Sequence, residues 1–205
     1  LPKGTAGQVL QMNSGATAPE YATAEGGTHI KIATLDHGGS GTNAANVTFS
    51  NCFTSTYDIY KVYFANIASS SNNYELAIGL LNASNTQISN NYSAGAYGYI
   101  PTTTGTGGNG GFSQLNDTRI RMLANNLDNV ETEPSNLELT IYNPYASSHT
   151  TVWYNYSCRS SNNHYYNIAG ASVNRNTTSV RSLKFYQNGG GEFSQYKATI
   201  YGVKR

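Results

Sequence analysis

Charged side chains are scarce in this sequence: Asp, Glu, Lys and Arg together make up 11% of its residues, against about 25% in an ordinary globular domain. With 12 basic and 11 acidic residues the formal net charge is +1, which gives no electrostatic basis for binding nucleic acid or an anionic membrane. Apolar runs are short as well. None approaches the roughly 18 residues that cross a bilayer as a helix, and the start carries no basic-then-apolar leader pattern. Only two cysteines occur, Cys52 and Cys158. Two thiols cannot complete a four-ligand zinc site without histidine, and no Cys-x-x-Cys or spaced His pair is present. Each thiol is flanked by aromatic or hydroxyl residues, so two buried thiols are expected rather than a disulfide.

What fills the chain instead is Asn, Ser, Thr, Gly and Tyr, including 21 Gly and 17 Tyr. The surface is therefore covered mainly by uncharged hydrogen-bonding groups, and so many aromatics argue for an ordered chain. A length of 205 residues suits one substantial domain with a small appendage. The first residue is Leu1, not Met, from which a processed product or part of a longer chain is expected.

Residues 1–27 are rich in small side chains and hold one short apolar run, Val9-Leu10. They cannot build a core and read as an extended attachment arm, leaving residues 28–205 as the domain. Within it, period-2 alternation and turn residues mark a series of strands. Residues 28–35 form the first, with Ile30 and Ile32 on one face, and 36–41 form a loop. A short strand follows at 47–49. Residues 57–67 carry the strongest pattern, with Tyr60, Val62 and Phe64 on one face and Ile59, Tyr63 and Ile67 on the other, so that both faces are expected to be covered. Residues 74–82 place Leu76, Ile78 and Leu80 inward. A looser strand spans 92–100, and a Thr/Gly loop spans 102–111. Residues 112–123 read as a strand, with a short helix over 118–127 as the competing reading.

Beyond a loop at 125–135, Leu137, Leu139 and Ile141 alternate with polar residues until Pro144 ends the strand. Further strands are expected at 150–158, 165–174, 180–187 and 193–203, with a glycine-rich turn at 188–191. Many strands bounded by turn residues, with almost no helix, indicate an all-β antiparallel sandwich or jelly roll behind the arm. No fixed-period repeat argues for a propeller or β-helix.

Catalytic patterns fare poorly. Asp36-His37 borders a glycine-rich loop, but a phosphate cradle needs that loop to open a helix, so an ordinary turn is preferred. Asp128, Glu131 and Glu133 lack calcium-loop spacing and read as a solvated acidic loop. His29, His37, His149 and His164 are scattered, and no Gly-x-Ser-x-Gly elbow exists. No enzyme and no cofactor are therefore expected. Six Asn-x-Ser/Thr sequons begin at Asn46, Asn82, Asn91, Asn116, Asn155 and Asn176, and chance in so Asn-, Ser- and Thr-rich a chain gives about five, so they carry no information.

The tyrosines are more informative. Tyr97, Tyr99, Tyr145, Tyr154, Tyr156, Tyr165 and Tyr166 exceed what a core needs, and Tyr among Ser, Asn and Gly is the composition of recognition surfaces. Tyr145, Trp153, Tyr154, Tyr156, Tyr165 and Tyr166 mark a candidate glycan or partner surface near 147–156 or 160–167. The competing reading, that these rings cover sheet faces or subunit contacts, is the preferred one.

The arm, with Gly4, Gly7, Gln8, Val9 and Leu10 followed by Pro19, Glu20 and Tyr21, resembles the Gly-x-x-Gly-Gln-Val-Leu…Pro-x-Trp/Tyr junction of tailed-bacteriophage fibre and other virion surface proteins. Tyr21 stands where Trp is common. The stretches beginning at Tyr57 and Gly191 are similar to the C-terminal sandwich domains of such proteins, while the middle of the chain is generic. The resemblance implies a virion structural protein, a homotrimer, with the arm in a docking or intertwined region. A tail-fibre distal domain contacting a host-surface glycan or protein is the first expectation. A capsid decoration or head-fibre protein anchored by the arm is the second, and a carbohydrate-binding module or carbohydrate-active enzyme the third. Other virion proteins are the implied partners, without nucleic acid or membrane insertion. Low charge suits this reading, because it removes repulsion between copies in a symmetric assembly.

Overall fold

The computed structural model describes residues 3, 5, 8–23, 27–38, 41–72, 74–89, 91–100, 108–122, 135–159 and 165–204. Its strands, in chain order, are β1 (Gln8–Met12), β2 (Pro19–Thr23), β3 (His29–His37), β4 (Asn46–Phe49), β5 (Ile59–Ser69), β6 (Glu75–Leu81) and β7 (Tyr92–Ile100). They continue with β8 (Gly108–Asp117), β9 (Ile120–Arg121), β10 (Ser135–Tyr142), β11 (Thr150–Arg159), β12 (Tyr165–Asn174), β13 (Ser182–Asn188) and β14 (Phe193–Val203).

Two antiparallel sheets form a sandwich: an eight-stranded sheet in the order β3-β14-β5-β10-β11-β12-β7-β8, and a four-stranded sheet in the order β4-β13-β6-β9. The fold is all-β, as the alternation implies. One core fills the space between the sheets. Tyr60, Val62, Phe64, Leu139, Ile141, Val152, Tyr156 and Ile200 enter it from the large sheet, and Val47, Leu76, Ile78, Leu80, Leu183 and Phe185 from the small one. Phe64 of β5 and Phe185 of β13 meet across it, with ring centroids 4.5 Å apart. Cys52 and Cys158 are free and buried.

Within the N-terminal stretch, residues 8–23 form a hairpin. β1 and β2 pair as a separate two-stranded sheet. Asn13 sets its turn: its Oδ1 accepts from the Thr17 amide at 2.9 Å, its own amide donates to Ala18 O at 2.9 Å, and its carbonyl accepts from Ala16 N at 2.8 Å.

Several expectations are corrected by bulges, which a period-2 pattern cannot anticipate. The register of β3 on β14 slips between Ile200 and Tyr201, and Ile32 is left exposed instead of joining Ile30. The strand also runs on through Asp36 and His37, where a loop was expected, because β14 is long enough to pair both. Lys197 holds Asp36 at 3.2 Å, and His37 stacks on Tyr196. In β5, Asn66 takes a positive φ of 54°, a conformation Asn tolerates better than most residues, and its amide donates to Asn136 Oδ1 at 3.2 Å. The resulting slip turns Ile67 into the core with Phe64. The opposite face of β5 is not covered, since Tyr63 remains 44% exposed.

The expected strand at 112–123 is two strands in different sheets. Asn116 has a φ of 59°, and the Asp117 carboxylate accepts from the amides of Thr118 and Arg119 at 2.6 and 3.2 Å. This turn redirects the chain so that Ile120 and Arg121 pair with β6, which excludes a helix there. Gly108–Gly111, expected within a loop, pair with β7. β13 begins at Ser182, two positions later than expected. The acidic residues Asp128, Glu131 and Glu133, and also His164, Gly4 and Gly7, lie outside the described residues.

Candidate functional site

Strand alternation sends every second residue of the eight-stranded sheet away from the core. On β11, Val152, Tyr154, Tyr156 and Cys158 are buried, while Trp153, Asn155 and Ser157 face outward. On β10, Leu137, Leu139 and Ile141 are buried, while Asn136, Glu138, Thr140 and Tyr142 lie on the outer face. Register brings these two outward rows together, with Trp153 opposite Thr140, Asn155 opposite Glu138 and Ser157 opposite Asn136.

A trough lies along these rows. Its larger part, about 600 Å³, is lined by Lys61, Glu138, Thr140, Trp153, Asn155 and Ala171 among others. A second part of about 330 Å³ adjoins it and shares Glu138 and Asn155, with Tyr63, Ser157 and Asn167 at its sides. From Trp153 to Ser157 the strand advances about 14 Å at about 3.4 Å per residue. Small residues keep one bank low, because Ala171 and Ala169 of β12 pair beside Trp153 and Asn155. Trp153 is 60% exposed, so the largest aromatic side chain in the protein has most of its surface available to a partner.

Lys61 and Glu138 form an ion pair at 3.2 Å inside the trough, and so the charged groups there neutralise each other. The other polar groups are hydroxyls and amides. Beyond Tyr63 the aromatic surface continues, with Tyr201 at 6.0 Å and then His29 at 6.4 Å, both edge-on.

Of the residues singled out from sequence, Trp153 and Tyr165 are exposed on the outward positions of their strands. Tyr154 and Tyr156 are corrected: both belong to the core, because they share the inward parity of Val152. Burial raises both phenol pKa values. Tyr166 packs against the core from the inward side of β12. Tyr145 is half-buried beneath Arg181, whose guanidinium carbon lies 4.0 Å from its ring centroid. Tyr97 is 62% exposed on β7, opposite Ala169. Sequence reasoning missed Lys61, Tyr63, Glu138, Thr140 and Asn155. Alternation from Trp153 points to Asn155 and Ser157, but Lys61 and Glu138 join them only through cross-strand register.

The core side of β12 fits one ring closely. A Cβ built on Gly170 would come 2.3 Å from Tyr154 Cζ, so Gly170→Ala is expected to destabilise the domain by about 1–3 kcal/mol through overpacking. Urea unfolding checks this, with the outward-facing Ala171→Ser as a control that shifts stability by less than about 0.5 kcal/mol.

Among the described residues no cluster of three His, Cys, Asp or Glu side chains could hold a metal ion. Glu75 is buried and paired with Arg119 and Arg121 on the small sheet, and Arg119 also meets Asp117 at 3.7 Å, so two carboxylates balance two guanidiniums there. Compared with known protein families and with curated proteins, the chain matches none.

Proposed function

We propose that this protein is a non-enzymatic structural component of a tailed-phage virion, a surface appendage whose sandwich is displayed and whose N-terminal hairpin docks it. A tail-fibre distal domain that attaches to the host surface is the form we favour, assembled as a homotrimer. The observation that carries the reading is the hairpin. Val9, Leu10, Met12 and Tyr21, within the stretch that resembles the virion junction segment, are 45%, 56%, 52% and 39% exposed. A lone two-stranded ribbon is marginal in water, and apolar side chains presented this way fit a surface covered on assembly.

Deleting residues 1–24 is expected to leave a sandwich with an unchanged far-UV spectrum and cooperative unfolding, yet abolish incorporation into particles. Loss of folding in the truncated chain would contradict the assignment of the hairpin as a docking element. Cryo-EM of the particle tests the location: density at fibre tips supports the tail reading, and many copies on capsid axes replace it with head decoration.

A further inference from the structure

We infer that the outer face of the eight-stranded sheet is a binding site for an uncharged glycan, with Trp153 as its stacking platform. The inference rests on reading the sandwich as an adhesion module and assigns that module its ligand class and residues. Three observations converge on it.

The first is shape. A concavity of about 600 Å³ falls within the range of ligand sites, and its extension past Asn155 toward Ser157 and Asn167 suits a chain-like ligand lying along β10 and β11. The second is the aromatic anchor. Trp153, 60% exposed, stands between Thr140 on one neighbouring strand and Ala171 on the other. The C–H-rich face of a pyranose is apolar and can pack on such a ring, leaving the sugar hydroxyls at its rim. Thr140, Asn155, Ser157 and Asn167 supply hydroxyl and amide partners that both donate and accept.

The third observation selects the charge of the ligand. The only charged groups lining the trough among the described residues are Lys61 and Glu138, already paired at 3.2 Å. An acidic polysaccharide would have to draw Lys61 away from Glu138, and a cationic segment would have to do the reverse. A neutral glycan accepts hydrogen bonds from one and donates to the other without breaking the pair. A second copy of this chain fits less well, since interface centres are depleted in charged groups such as this pair.

Trp153 is the single tryptophan of the chain, so its fluorescence reports on the site directly. The full-length protein is titrated with short neutral oligomers of glucose, galactose, mannose and N-acetylglucosamine, and with oligogalacturonate as the acidic comparison. The expected result is a saturable blue shift and protection from acrylamide quenching with at least one neutral oligomer, and none with oligogalacturonate. By calorimetry, Trp153→Ala should weaken that binding about thirtyfold, equivalent to about 2 kcal/mol, with Trp153→Phe retaining part of it and Asn155→Ala weakening it independently. Binding of no neutral oligomer, binding of oligogalacturonate alone, or full affinity in Trp153→Ala would each overturn the inference. So would concentration-dependent burial of Trp153 in the ligand-free protein together with a self-association, seen by sedimentation, that Trp153→Ala abolishes, which would make this face a contact between copies. Particle location by cryo-EM is independent of all these outcomes, so a failed titration leaves the virion reading standing, and a misplaced chain leaves the measured binding standing.

Discussion

Raising the pH from 9 to 11 is expected to remove a large part of this domain's stability. Burial pushes the Cys52 and Cys158 thiols from an ordinary 9.0 up to about 12. Burial likewise raises the phenols of Tyr92, Tyr154 and Tyr156 above their ordinary 10.0. In the window between each unfolded and folded value, the unfolded chain has released a proton that the native state still holds. Stability is therefore complete below pH 9 and falls as pH rises through the window. Each group contributes about 1.4 kcal/mol per pH unit, so the two thiols together give nearly 3 kcal/mol per unit, and the tyrosines add to this above about pH 10. Against a typical net stability of about 5–15 kcal/mol, the combined loss is a large fraction of what holds the domain folded. Urea midpoints measured at intervals across this range read the slope. A Cys52→Ala/Cys158→Ala variant separates the two classes: between pH 9 and 10 it should lose most of the decline seen in the parent. Equal slopes in parent and variant would show that the thiols do not carry it.

Phe64→Ala should cost about 3–5 kcal/mol, the largest effect of a single substitution. Phe64 is fully buried and joins three rings: Phe185 of the opposite sheet at 4.5 Å, Phe193 at 5.7 Å and Tyr196 at 5.9 Å. Removing it opens a cavity where the two sheets meet. The adjacent residue provides the contrast. Tyr63 points outward, and Tyr63→Ala should change stability by less than about 1 kcal/mol. Chemical denaturation of the pair checks both numbers, and comparable losses would mean that the inward and outward faces of β5 are misassigned.

Much of the strand plan was legible locally. The bounds expected for β7, β12 and β14 coincide with the strands found, and the alternation of Leu137, Leu139 and Ile141 gives the inward face of β10. Elsewhere a local pattern misled. Ile32 and Ile67 were assigned to faces by counting in twos, and a bulge beside each reversed the parity. Asp117 ends β8 through its own side-chain hydrogen bonds, and a single strand read across 112–123 passes over the Asn-Asp-Thr-Arg turn at which the chain changes sheet. Tyr154 and Tyr156 seemed suited to a surface because Asn155 and Ser157 neighbour them, but those residues, with Trp153, are the outward half of the same alternation.

By itself, then, the sequence determined that the protein is all-β, weakly charged, free of an evident catalytic pattern, and equipped with Trp153 on a strand beside amide and hydroxyl residues. These follow from composition and from the period-2 geometry of a strand, which act within a few residues. The tertiary structure alone decided which outward residues share the trough. Lys61 reaches Glu138 across 77 positions of chain, and Ala171 arrives beside Trp153 by the register of β12 on β11. Such pairings depend on sheet order and on bulges, where a slip of one residue turns a side chain from one face to the other.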